Sequence, residues 1–204
     1  MATRKKRHSS IPHKIHQIWV GPNSIPEKYI EYMRKIKELH PDYEYRLWTN
    51  EDITPDNFST YEYINKTNVY AQKADIMRYE ILYKHGGIYL DMDMKLLKNL
   101  DPLLTKSLIV CNEDDNINTY MTNAFIASSQ YNENLKRLVE GVKDVNFALS
   151  VNEGTGPYYL RKHINIDDDV NILPTNTIYP LHVDNKISNI TDNSYAIHEW
   201  DKNW

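Results

Sequence analysis

The stretch that decides the fold is "KHGGIYLDMDMKLL", Lys84 to Leu97. Two glycines end a helical pattern, alternating apolar residues follow, and Asp91 and Asp93 stand one residue apart among them. Read as a strand, Ile88, Leu90, Met92 and Met94 face one way, and Tyr89, Asp91 and Asp93 face the other. The apolar set makes a core face, and the two carboxylates emerge side by side near the strand's end. Such charges are costly in a buried segment unless something positive meets them. Two like charges so close drive one to protonate unless they share a cation. Oxygen ligands on a short strand suit Mg²⁺ or Mn²⁺. For a bare D-x-D, an exposed edge strand with solvated charges is the other reading.

The helix upstream strengthens the first reading. In "YAQKADIMRYEILYKHGG", about Tyr70 to Lys84, Ala74, Met77 and Ile81 form a packed stripe. Asp75 and Arg78 share another face at i and i+3, the spacing of an intrahelical ion pair. A tight glycine turn, with Gly86 where a left-handed residue is wanted, carries this helix into the acidic strand. Both charge pairs can therefore share one cleft.

Working outward, "HKIHQIWVG" reads as a first strand closed by Gly21. Ser24-Ile-Pro-Glu27 has the form of a capping box opening a helix with Tyr29, Ile30, Met33, Ile36 and Leu39 on its core side. "YEYRLW" is a second strand, "SLIVCNE" and "TNAFIASS" are two more, and Asn132 to Val142 is a helix. "DVNILP" and "SYAIHEW" are short strand-like runs. Strands alternating with helices predict an α/β layered domain over residues 11–204, behind a basic tail at 1–10.

Bulk properties bound the function. The chain has 204 residues, 41% hydrophobic and 25% charged, with a formal net charge of -4. That balance argues against nucleic acid as a partner, since no global basic field exists. The block Arg4-Lys5-Lys6-Arg7-His8 reads as a frayed tail, with peripheral membrane contact as the alternative. The single cysteine, Cys111, excludes an internal disulfide and reads as a small buried hydrophobe. No apolar segment is long enough to span a bilayer, so a cytoplasmic setting, bacterial or viral, is expected over the Golgi. The 16 tyrosines and 4 tryptophans suit sugar or base rings, and suit a core equally. EF-hand, Walker and dinucleotide-loop patterns are all missing.

Taken in order, "KIHQIWVG", "YEYRLW", "KADIMRYEILYKHGGIYLDMD" and "AIHEW" are similar to the DXD-containing glycosyltransferases of family 32. Those sugar transferases have a GT-A fold and are related in their core to the glucosylating domains of large clostridial toxins. The resemblance runs from Ile11 to Trp204. It departs at the terminus, where His198-Glu-Trp200-Asp-Lys-Asn-Trp204 replaces the family's small-residue turn.

The resemblance implies a mixed, mostly parallel sheet flanked by helices. It implies transfer of a hexose, with retention, from a nucleotide-sugar donor, UDP-glucose preferred, to a glycan or glycoprotein acceptor. The implied cation is Mn²⁺, with Mg²⁺ as the alternative, held by Asp91, Asp93 and His198. Trp19 would stack on the donor's base, although a core tryptophan fits its position as well. Val20, Tyr70, Lys73 and Met92 would line the donor, and Asp75 and Arg78 would hold its sugar and ribose. Asn123 and the "EGTGP" block, Glu153 to Pro157, would line the acceptor side. A sugar-nucleotide-binding module without turnover, or one domain of a larger glycan-assembly protein, is the alternative.

Overall fold

A computed structural model describes residues 10–114, 121–182 and 189–201. The basic block at Arg4–His8 and the final Trp204 lie outside the described residues. In chain order, the first elements are β1 (Lys14–Ile18), α1 (Glu27–Leu39), β2 (Glu44–Trp48), α2 (Tyr61–Lys66) and α3 (Tyr70–His85). Then come β3 (Gly87–Leu90), β4 (Met94–Leu96), β5 (Leu108–Asn112), β6 (Met121–Ser128) and α4 (Glu133–Gly141). The last are α5 (Val151–Gly154), α6 (Pro157–His163), β7 (Val170–Leu173), α7 (Thr175–Ile178) and β8 (Ala196–His198).

Six strands form the central sheet in the order β2-β1-β3-β6-β5-β7. Five run one way, and β6 alone runs against its neighbours β3 and β5. This is the mixed, mostly parallel sheet that the resemblance implies. Because strand side chains alternate, the sheet builds two cores. Tyr89, Val110 and Ile126 point to the layer that holds α3, α4 and α6. Ile88, Leu90, Cys111 and Phe125 point to the layer that holds α1 and α7.

Several local expectations are corrected. The strand from Gly87 does not run on to Met94. It leaves the sheet after Leu90, and Met94 N–H donates to Asp91 C=O at 3.1 Å, closing a turn over Asp91-Met92-Asp93. Met94 then starts β4, which pairs antiparallel with β8 in a separate two-stranded sheet. Alternation places Tyr89 against Ile88 and Leu90 correctly, but the acids sit on a turn and not on a strand face.

The capping box is also absent. Pro26 occupies the N-cap of α1, with no side-chain cap, and Ile30 points outward at 39% exposure. Helix α3 has no polar face at all, since Asp75, Arg78 and Glu80 are as buried as Met77 and Ile81. It runs through the interior of one layer, so its charges must be satisfied there. Its end at Gly86 comes as read, with φ of 61°. Gly87, at φ 98°, has no room for a side chain, since a Cβ would lie 2.6 Å from the carbonyl oxygen of Lys14.

Candidate active site

The topology explains why the acids collect where they do. Strand β3 ends beside β6, with Asp91 N–H donating to Ala124 C=O at 2.9 Å. Gln17 on β1 donates to Asp91 C=O at 3.1 Å, and Tyr45 on β2 donates to Gln17 Oε1 at 2.6 Å. Three strands thus fix the backbone at the first acid. The second sheet supplies the rest: Met94 pairs with His198, which brings the carboxyl-terminal segment alongside the turn.

Asp91, Asp93 and His198 are each 7–8% exposed, and each offers a ligand atom within 4.8 Å of the others. His198 Nε2 lies 3.0 Å from Asp93 Oδ1 and 3.8 Å from Asp91 Oδ2. Burial would lower the His198 pKa, but the hydrogen bond and charge of Asp93, then the charges of Asp91 and Glu113, raise it. His198 Nδ1 is buried without a hydrogen-bond partner among the described residues. Two carboxylates and an imidazole on one side of a cleft form a donor set that fits Mn²⁺, and also Mg²⁺ through the oxygens.

Beside this trio lies a buried polar network. Arg78 Nη2 is 3.1 Å from Asp75 Oδ1, and Arg78 Nη1 is 3.1 Å from Asp91 Oδ1. Arg78 also donates to Asn123 C=O at 2.6 Å and stacks over the ring of Tyr89. Tyr89 donates to Asp91 Oδ1 at 2.7 Å. Burial would lower the Arg78 pKa, but Asp91, Tyr89 and Asp75 outweigh it, so the guanidinium stays charged. Asp75 takes donors on both oxygens, Asn123 Nδ2 at 2.7 Å and Thr155 Oγ1 at 2.7 Å. Burial pushes Asp75 up to about 6 against the pull of Arg78. Two carboxylates, Asp75 and Asp91, therefore share the Arg78 guanidinium, while Asp93 lies against His198.

These groups open into a cleft of about 350 Å³ lined also by Glu113, Thr122, Trp200 and Asp201, within the usual size of a small-molecule site. Burial pushes Glu113 up to about 7, with His198 pulling it down. Asn123 and Pro157 line the cleft, and Thr155 of the same block reaches it through Asp75.

The remaining donor candidates stand off from the cleft wall. Trp19 is half-buried, edge-on to Tyr29, with its indole donating to Asn23 C=O at 2.8 Å. Val20 is in the core, so its backbone alone can reach a ligand. The ring of Tyr70 packs beneath Gly21, and its helical neighbour Ala71 lines the cleft. Lys73 is half-buried with its pKa lowered by burial. Met92 is buried in the turn. Glu113 and Asp201 were not legible as site residues. Glu113, an acid just past an apolar strand, carried the one available signal.

Comparison with known proteins shows what part of this arrangement is similar to. Residues 26–110 match the family model described as a glycosyltransferase sugar-binding region containing the DXD motif. This DXD region holds Asp75, Arg78, Asp91 and Asp93, whereas Trp19, Asn123, Thr155 and His198 lie outside it. Inositol phosphoceramide mannosyltransferase 3 of Schizosaccharomyces pombe is 44% identical over 100 residues, covering 47% of this chain and 28% of that protein. Uncharacterized glycosyltransferase L373 of Acanthamoeba polyphaga mimivirus is 44% identical over 101 residues, covering 46% of this chain and 40% of its own. The matched part is less than half the length of either curated relative. Among solved structures, PaToxG glycosyltransferase superposes with a TM-score of 0.62 at 23% identity, over 76% of this chain and 69% of that one. The architecture around the DXD region is the GT-A type.

Proposed function

We propose that the protein is a metal-dependent glycosyltransferase that moves a hexose from a nucleotide-sugar donor to a glycan or glycoprotein acceptor. One observation carries the reading: Asp91, Asp93 and His198, from two separate parts of the chain, meet within 4.8 Å at the mouth of a cleft. These three residues would hold Mn²⁺ or Mg²⁺. When bound, the ion offsets the charge of the diphosphate and supplies Lewis acidity for the leaving group.

The chain's own residues do the orienting. Arg78, fixed by Asp75, Asp91 and Asn123, presents a rigid positive group to the donor. Asp75 keeps free lone pairs beside its bonds to Asn123 and Thr155, and in this reading they accept from the sugar's hydroxyls. Trp19 stacks on the base, with Val20, Tyr70 and Lys73 around it at the amino-terminal end of α3. Transfer proceeds with retention, by front-side attack of the acceptor hydroxyl.

The names of the relatives favour a second donor reading. Inositol phosphoceramide mannosyltransferase 3 is named for mannose and a phosphoinositol lipid, which supports a mannosyl donor over UDP-glucose. A thermal-shift panel of UDP-glucose, GDP-mannose and related donors, with and without Mn²⁺, tests both. A donor at a hundred times its Kd adds about 2.7 kcal/mol of stability. The account requires such a shift with Mn²⁺ and its loss with EDTA. Donor hydrolysis in the same mixtures separates an enzyme from a binding module.

A further inference from the structure

Helix α1 carries none of the residues assigned above, yet its first two turns hold the segment that follows His198. Lys28 Nζ pairs with Glu199 and lies 2.9 Å from Asp201 Oδ2. Tyr29 OH donates to the same Asp201 oxygen at 2.9 Å, and Tyr32 OH donates to Glu199 Oε1 at 2.7 Å. Between the two acids stands Trp200, whose φ of 57° puts a bulky residue in the left-handed region. That backbone persists only where its surroundings hold it. Its indole packs edge-on to the His198 ring at 4.2 Å and donates to Leu181 C=O at 2.7 Å.

The kink has a consequence at the acids. It turns Asp201 N–H onto Asp93 Oδ2 at 2.9 Å, while Glu199 N–H approaches Asp93 C=O at 3.3 Å. Asp93 is thereby held on one oxygen by backbone and faces His198 with the other. A ligating carboxylate is oriented by such outer bonds, and their loss weakens the ion it holds.

We propose that Lys28, Tyr29 and Tyr32 are positioning residues for the cation site: through Glu199 and Asp201 they hold the kink that sets Asp93 and His198 for one ion. The inference rests on the cation reading above. Exposed ion pairs such as that of Lys28 stabilise a fold little by themselves, so the effect falls on the site and not on folding. By linkage, an ion that needs this segment in place also secures it.

The test is calorimetric titration of the full chain with MnCl₂. Lys28→Met combined with Tyr29→Phe should weaken Mn²⁺ binding about tenfold to a hundredfold with an unchanged circular dichroism spectrum. Lys28→Arg should restore most of the affinity in the Lys28 position. Amide exchange at Asp201 should slow on adding Mn²⁺ to the wild type and quicken in the double variant. Lys35→Met, which removes an equal charge from an exposed pair with Glu38 on the same helix, is the control for general electrostatics. Wild-type affinity in the double variant, or an equal change in Lys35→Met, would overturn the proposal alone. No Mn²⁺ uptake by the wild type would overturn the cation reading and this inference together.

Discussion

Arg78 Nη1 lies 3.1 Å from Asp91 Oδ1, with the guanidinium 2% exposed. This contact joins helix α3 to the D-x-D turn inside the protein, where charges cannot be left alone. It makes Asp91 a member of two sets, the cation trio and the Arg78 network. In the proposed function, donor binding and fold stability are therefore coupled at this residue.

Breaking the pair should show in both. Arg78→Met leaves Asp75 and Asp91 buried without their counter-charge and should cost about 3–5 kcal/mol of stability. Arg78→Lys keeps the charge but not the planar fork that meets Asp75, Asp91 and Asn123 together. It should cost less stability, about 1–3 kcal/mol, while strongly reducing transfer. Urea unfolding and donor turnover measure the two effects. Full turnover by Arg78→Lys would remove Arg78 from the donor site.

The base-stacking assignment stands on Trp19. Trp19→Ala should weaken nucleotide binding by about 1–3 kcal/mol if the ring stacks on the base. The ring is half-buried and edge-on to Tyr29, so truncation leaves the core intact. Equal nucleotide affinity by titration calorimetry would take Trp19 out of the donor site.

The sheet order and the cleft residues differed in how legible they were. Alternation at Ile88-Tyr89-Leu90 and the glycines at 86 and 87 gave β3 and its approach, because pleat and positive φ leave marks in sequence. The turn at Asp91 left no such mark. What breaks the strand there is pairing: β4 turns away to meet β8, where Met94 pairs with His198, about half the chain downstream. Helix α3 was found, but its burial on every side was not, since the groups that satisfy its charges come from other elements. Glu80, for one, takes the backbone N–H and hydroxyl groups of Ser59 and Thr60. The short helices α5, α6 and α7 have too few turns for a period to show. His198 was reached by resemblance, because a lone histidine in a short apolar run has no periodic signal.

A pH effect should come from His16. Trp48 Nε1, a donor only, donates to His16 Nδ1 at 3.3 Å, so the ring's other nitrogen donates to Gly86 C=O at 3.0 Å. Protonation would set two donors against each other, and burial lowers His16 from 6.5 to about 4. The unfolded chain then binds the proton more readily. Stability is full above pH 6.5 and falls as pH drops toward 4. Between pH 7.5 and 5 the loss from this residue is about 2 kcal/mol. Because His198 is shifted the opposite way, the measurement is the difference in unfolding free energy between wild type and His16→Gln at the two pH values. An unchanged difference would contradict the assignment.

Gly87 should tolerate no side chain. Gly87→Ala places a Cβ 2.6 Å from Lys14 C=O at φ 98°, where β3 pairs with β1. It should destabilise by more than about 1 kcal/mol and displace the turn that carries Asp91. Thermal unfolding at wild-type temperature would show that β1 and β3 can separate without cost.

The central claim is that Asp91, Asp93 and His198 hold one divalent ion that the donor shares. Anomalous diffraction from crystals grown with MnCl₂ and a nucleotide sugar tests it most directly. The account predicts a single strong peak in contact with all three side chains, lost in Asp93→Asn. A donor bound in the cleft with no peak there, or a peak that His198 does not touch, would contradict it.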